Sequence, residues 1–161
     1  MSKRPLLIAL AVLLLDRITK WAIAQTIPLE DAVNIIPGFF RLTHLENTGA
    51  AFSLFADSAS PFRTALLIAF SVAALAVVSF LLWKDRSIFH SGTLALSLIL
   101  GGAVGNLWDR VFAGKVTDFL DFYIGMHHWP PFNIADSAIV IGALLLFVRM
   151  LRKDHHSQAA A

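Results

Sequence analysis

Four apolar stretches, at about Pro5–Ala24, Phe62–Trp83, Thr93–Leu107 and Ile134–Leu151, constrain this chain more than any other feature of it. A helix needs roughly 20 residues to cross a bilayer. Inside hydrocarbon the backbone must satisfy its own hydrogen bonds, which helices do within one segment. The predicted fold is an all-α membrane protein with four transmembrane helices, at about 5–24, 62–83, 93–111 and 134–151. Composition agrees, because a hydrophobic fraction of 57% and a mean hydropathy of +0.70 exceed what a soluble domain carries. The 161 residues fit one membrane domain over 1–154, with a disordered tail at 155–161.

Basic residues cluster at the ends of the apolar runs. Lys3 and Arg4, Lys84 and Arg86, and Arg149, Arg152 and Lys153 fall on one side if four helices alternate, which predicts cytoplasmic termini. The net charge is only +2, so the basic balance points to membrane orientation and not to nucleic acid. Ser2-Lys3-Arg4 with Pro5–Leu15 imitates a secretory signal peptide, and Ala22-Ile23-Ala24 imitates its cleavage site. Asp16, Arg17 and Lys20 interrupt that segment where a signal peptide stays neutral, so it is expected to remain as the first helix. No cysteine is present, which removes disulfides, thiolate nucleophiles and cysteine-bound metals.

The opposite, outer side holds the loops 25–61 and 112–133. Val33–Ile36 and Phe39–Leu45, around Pro37-Gly38, predict a small β-hairpin cradle between the first two helices. Beyond it, Glu46-Asn47-Thr48-Gly49-Ala50-Ala51-Phe52-Ser53 is rich in small residues. Such a backbone can host an extended peptide, or it is a plain loop re-entering the membrane. His127-His128 reads as an interfacial loop and His155-His156 as part of the frayed tail, neither with a third metal ligand at a useful spacing. No metal and no cofactor is expected.

Several polar residues sit at membrane depth, where each needs a partner or a task. Asp16 and Lys20 are one helical turn apart and predict an internal ion pair. The run Gly101-Gly102-Ala103-Val104-Gly105 permits close helix packing and leads into Asn106, Asp109 and Arg110. Those three form a helix-end network, and the Arg110 guanidinium suits a carboxylate or phosphate of a ligand. Asn133 is a good N-cap and Asp136 stands three residues on, which fits a capping box. Asp118 and Asp121, taken alone, are ordinary loop residues.

Two carboxyl groups sharing one proton can hydrolyse a peptide bond, one activating water and the other polarising the carbonyl. Asp136 with either Asp118 or Asp121 would supply that pair.

At these residues the sequence resembles the lipoprotein signal peptidases (signal peptidase II), bacterial aspartyl endopeptidases. The resemblance rests on five blocks in family order: Leu15-Asp16-Arg17-Ile18-Thr19-Lys20; Glu46 to Ser53; Gly101 to Arg110; Val116-Thr117-Asp118-Phe119; and Phe132-Asn133-Ile134-Ala135-Asp136-Ser137-Ala138. Minor departures are Thr117, where valine is frequent, and Trp108, where tyrosine is frequent. The resemblance implies cleavage of diacylglyceryl-modified prolipoproteins before the lipidated cysteine, at the outer face of the bacterial inner membrane. It implies Asp118 and Asp136 as the catalytic pair, in preference to Asp121. It also implies Asp16, Lys20, Asn47, Gly49, Asn106, Arg110, Asn133 and Ala135 as support around the substrate. Prolipoproteins and membrane lipid are the expected partners, and one copy suffices because four helices can enclose one site.

Two rival readings come from other classes. A small proton-coupled transporter would relay protons through Asp16, Asp118 and Asp136, but it predicts helix breaks near the midplane that the sequence lacks. A non-catalytic membrane assembly factor would need only the glycine-rich helix face.

Overall fold

A computed structural model describes residues 3–49, 61–84 and 91–158. Ala50 to Ser53 of the small-residue segment, Arg86 and residues 159–161 lie outside the described residues. Helix dominates the fold: α1 (Arg4–Thr26), α2 (Pro61–Lys84), α3 (Ser91–Phe112) and α4 (Ile134–Gln158). The helices overlap the four expected spans and overrun most of their ends by a residue or more. At α4 the difference matters, because helical backbone continues through Gln158 where the sequence predicts disorder from residue 155. No proline or glycine between Gly142 and Gln158 stops it.

Two helices, Thr64–Lys84 and Ile134–Arg152, are long and apolar enough to cross a membrane by length and composition. α1 and α3 fall short because polar residues interrupt them, and those residues point inward. α1 buries Ala9, Asp16, Lys20 and Ile23 while Leu6, Leu10, Leu14, Ile18 and Trp21 are exposed. α3 buries Ser97, Asn106 and Asp109. Large apolar groups outside with small and polar groups inside reverse the pattern of a water-soluble helix and match a bundle surrounded by lipid.

α3 is the hub, packing against α1, α2 and α4. Its glycines make this possible. A Cβ on Gly101 would lie 2.5 Å from the Ala9 carbonyl oxygen of α1, and one on Gly102 would run into the Ala135 carbonyl of α4. Backbone therefore touches backbone on both sides of α3.

The expected hairpin is present as β1 (Ala32–Ile36) and β2 (Phe40–Asn47), so Glu46 and Asn47 belong to a strand. The rest of the sheet goes beyond the expected hairpin. Loop 112–133 contributes β3 (Val116–Ile124) and β4 (His127–His128), and the antiparallel order is β1-β2-β3-β4. Val116, Thr117, Phe119, Phe122, Tyr123 and Ile124 all favour a strand, but its partner β2 is remote in sequence, so no local turn announces the pairing. His127-His128 is correspondingly a short strand and not a loop.

A small apolar core joins the sheet to the bundle: Ile23 of α1 and Ile27 just past its end pack with Phe119 of β3, with Leu42, Leu120 and Ile134 around them. That core holds β3 over the C-terminal end of α1 and the N-terminal end of α4.

Candidate active site

Asp118 lies on β3 and is only 4% exposed. Asn47 Nδ2 donates to its Oδ2 at 2.9 Å and Asn133 Nδ2 donates to its Oδ1 at 2.8 Å. Strand register brings Asn47 there. Arg41 stands opposite Asp121, but the pairing slips by one residue between Leu42 and Leu45, so that Leu45 faces Asp118 and Asn47 faces Val116. Without the slip Asn47 would face Lys115, one residue farther from Asp118. On the other side Phe132 bridges to Leu120, its N–H donating to the Leu120 carbonyl at 3.1 Å, which delivers Asn133 beside Asp118.

Asp136 occupies the first turn of α4. The Asp136 N–H donates to Asn133 Oδ1 at 3.0 Å and the Asn133 N–H donates to Asp136 Oδ2 at 3.4 Å, a reciprocal capping box. Asn106 Nδ2 donates to Asp136 Oδ1 at 2.7 Å. Asn133, fully buried, thus holds one aspartate through its side-chain NH2 and the other through its backbone N–H.

Beneath the pair lies the network that the first helix foreshadowed. Lys20 Nζ stands 2.8 Å from Asp16 Oδ2 and 2.6 Å from Asp109 Oδ2, and it donates to Asn106 Oδ1 at 3.1 Å. With its oxygen engaged by a cation, Asn106 must turn its NH2 to Asp136. Asp16 in turn accepts from the Ala135 N–H at 2.9 Å, one of the α4 donors that lack an intrahelical partner. A Cβ on Gly105 would stand 2.8 Å from Asp16 Oδ2, so that glycine makes room for the carboxylate. Arg17 closes the network through an ion pair with Asp109. Asp109, by spacing a neighbour of Asn106 and Arg110 at a helix end, is the second counter-charge of Lys20. Arg110 reaches the Gly49 carbonyl at 3.5 Å, and the Gly49 N–H donates to Asn47 Oδ1 at 2.8 Å, so Arg110 borders the loop beside Asp118.

Asp121 is committed elsewhere. Its Oδ2 pairs with Arg41 Nε at 2.6 Å, and His128 Nδ1 lies 2.9 Å from Oδ1. The two aspartates left ambiguous by spacing are therefore separated by their partners.

Burial pushes the Asp118 carboxyl up to about 6, and the nearby Asp136 charge adds to this against the two amide donors. An unfolded aspartate titrates at ~3.9. The folded protein thus holds a proton that the unfolded chain releases between these values, and stability falls as pH rises from about 4 through about 6. Asp118→Asn is expected to stabilise the protein at pH 7.5 by on the order of 2 kcal/mol and to leave it unchanged at pH 4. Thermal unfolding in detergent at the two pH values measures this; an equal shift at both would contradict it.

A family model described as signal peptidase (SPase) II matches residues 8–152. The chain belongs to the signal peptidase II family. The lipoprotein signal peptidase of Solibacter usitatus is 45% identical, over 90% of this chain and 88% of that one. That of Geobacter sulfurreducens is 46% identical over 91% of each. A solved bacterial membrane enzyme, determined by the in meso method, superposes with a TM-score of 0.84 at 32% identity, covering 96% of this chain and 91% of its own. Another, at 33% identity, gives 0.80 over 94% of each. The chain is accordingly a membrane protease of this family, and no relative speaks for the proton-coupled transporter.

Proposed function

We propose that Asp118 and Asp136 are the catalytic pair of an aspartyl endopeptidase that removes signal peptides from diacylglyceryl-modified prolipoproteins, cutting before the lipidated cysteine. The observation that carries the reading is Asn133, which engages both carboxyl groups at once. In the proposed mechanism Asp136 is the ionised member. Besides accepting from the Asn106 amide and the Asn133 N–H, it sits at a helix N-terminus, a position that Asp118 on its strand does not share. It takes a proton from water, which attacks the scissile carbonyl carbon. Asp118, the member whose proton burial retains, donates to the carbonyl oxygen. When the tetrahedral diol collapses, the proton on Asp136 passes to the departing amine and Asp118 recovers its own from the diol hydroxyl. Atoms and charge balance without a metal or a covalent intermediate. Purified protein is expected to cut a diacylglyceryl prolipoprotein peptide in detergent at an undiminished rate with chelator present. A requirement for added metal would overturn the reading.

The basic residues Lys3, Arg4, Lys84, Arg149 and Arg152 support an orientation with all four helices spanning the inner membrane and both termini in the cytoplasm. The site then lies near the outer leaflet, where the substrate's acyl chains stay in lipid while its peptide enters between sheet and bundle. One copy contains every residue of the proposed pair and its support, so a monomer suffices.

Arg110 borders the site and donates to backbone carbonyls, that of Asn106 at 3.3 Å and that of Gly49 at 3.5 Å. Its role in this reading is substrate binding. Arg110→Ala is expected to raise KM about tenfold, the worth of one charge-assisted hydrogen bond, while kcat stays within about threefold. An unchanged KM would leave Arg110 as a helix-end contact.

A further inference from the structure

Beside Asp118, on its Asn47 side, lies a cavity of about 330 Å³ walled by Leu29, Glu30, Leu45, Glu46, Thr48 and Pro131. Its floor is a strand one edge of which no other strand covers among the described residues. β1 pairs with β2 only from Phe40 to Thr43. Past that point the last contacts are the His44 N–H donating to the Asp31 carbonyl at 3.1 Å and the Glu30 N–H donating to the His44 carbonyl at 2.9 Å. The chain then turns away, because Glu30 takes the left-handed conformation with φ 65°; it is the only non-glycine residue with positive φ among the described residues. That backbone costs on the order of 1 kcal/mol or more, and it stops β1 from covering the rest of β2.

Peptide groups along an antiparallel strand point to alternate edges. Those of His44 face β1, so those of Glu46, two residues on, face the same edge where no strand among the described residues pairs. Glu46 stands opposite Thr117, next to Asp118, and its carboxylate is held aside by Lys115 at 2.6 Å. The slot is thus one strand wide, bounded by Glu30 and Leu29, and it opens directly onto the proposed catalytic carboxyl.

We propose that the substrate segment following the scissile bond adds to this edge as an extra β-strand, its backbone N–H and C=O pairing with the C=O and N–H of Glu46. The inference rests on the peptidase reading and names which half of the substrate is held and how. The mature-side residues are the ones assigned because the cavity walls come from the outer loops around the sheet. Asp136 and the bundle, to which the apolar signal segment must come, lie on the Asn133 side of Asp118. Recognition through the backbone places no demand on the side chains of that segment.

The test is a diacylglyceryl prolipoprotein peptide N-methylated singly at each of four consecutive residues after the cysteine. Each peptide is measured with the full chain in detergent for Kd and for turnover. Methylation at the residue paired with Glu46 is expected to weaken binding about three- to tenfold, the loss of one hydrogen bond, while its immediate neighbours bind as the unmodified peptide does. Equal losses at consecutive positions, or none at any, would overturn the strand. Turnover of the unmodified peptide reports separately on the peptidase reading: cleavage without the alternating pattern sinks only the strand, and the pattern without cleavage sinks only the peptidase.

Discussion

Asp118→Asn and Asp136→Asn are each expected to reduce cleavage of a lipidated prolipoprotein peptide by about 10³-fold or more while the protein still folds and inserts. An amide can neither take the proton from water nor give one to the carbonyl, and the paired mechanism leaves no substitute. Folding should survive for reasons visible at each site. The new amide in Asp118→Asn keeps an oxygen for the Asn133 or Asn47 side chain, and the one in Asp136→Asn keeps an oxygen for the Asn133 N–H or the Asn106 amide. Helix content by circular dichroism and elution in detergent check the fold, and single-turnover peptide cleavage checks the chemistry. Turnover within about tenfold of the parent in either variant would dismiss the pair. Asp121→Asn is the control. It loses the charge that pairs with Arg41 and keeps one oxygen for Arg41 or His128, and is expected to cost stability at the sheet, not the chemical step.

Lys20→Met should have the largest effect on stability. The side chain is 3% exposed and faces two buried carboxylates, Asp16 and Asp109. Removing the cation strands Asp16 and leaves Asp109 with Arg17 alone, and breaking one buried pair typically costs ~3–5 kcal/mol. Activity is expected to fall as well, because Asn106 loses the partner that turns its amide toward Asp136. Thermal unfolding in detergent, followed in Lys20→Met and in Lys20→Met with Asp109→Asn, measures the stranded charge. The double variant should recover part of the loss, and no recovery would mean that Lys20 acts by packing alone. Arg17 remains near Asp109 in both, which sets a ceiling on the recovery.

Much of this site was legible in the chain because its signals are local. Spacing of one helical turn identified the Asp16–Lys20 pair, and the three-residue step from Asn133 to Asp136 identified the capping box. Gly101 and Gly102 announced close packing, and they are where α3 meets α1 and α4. What stayed illegible depends on contacts between remote segments. β3 pairs with a strand that two long helices separate from it in sequence, so its register has no local signature. Spacing left Asp118 and Asp121 with equal claims, and the resemblance alone separated them. In the structure the separation is physical, since Arg41 and His128 occupy one and the two asparagines the other.

The sequence by itself determined which residues cannot rest in hydrocarbon unaided: Asp16, Lys20, Asn106, Asp109 and Asp136 each interrupt an apolar run, and the cost of burying such groups demands partners whatever the fold. Only the tertiary structure decided who those partners are. A one-residue slip between β2 and β3 brings Asn47 within reach of Asp118, and the Phe132 bridge sets Asn133 between Asp118 and Asp136. A capping box read along the chain is a way to start a helix. Placed under β3, the same asparagine also orients a second carboxylate, because hydrogen bonds are set by where groups meet in space and not by their order along the chain.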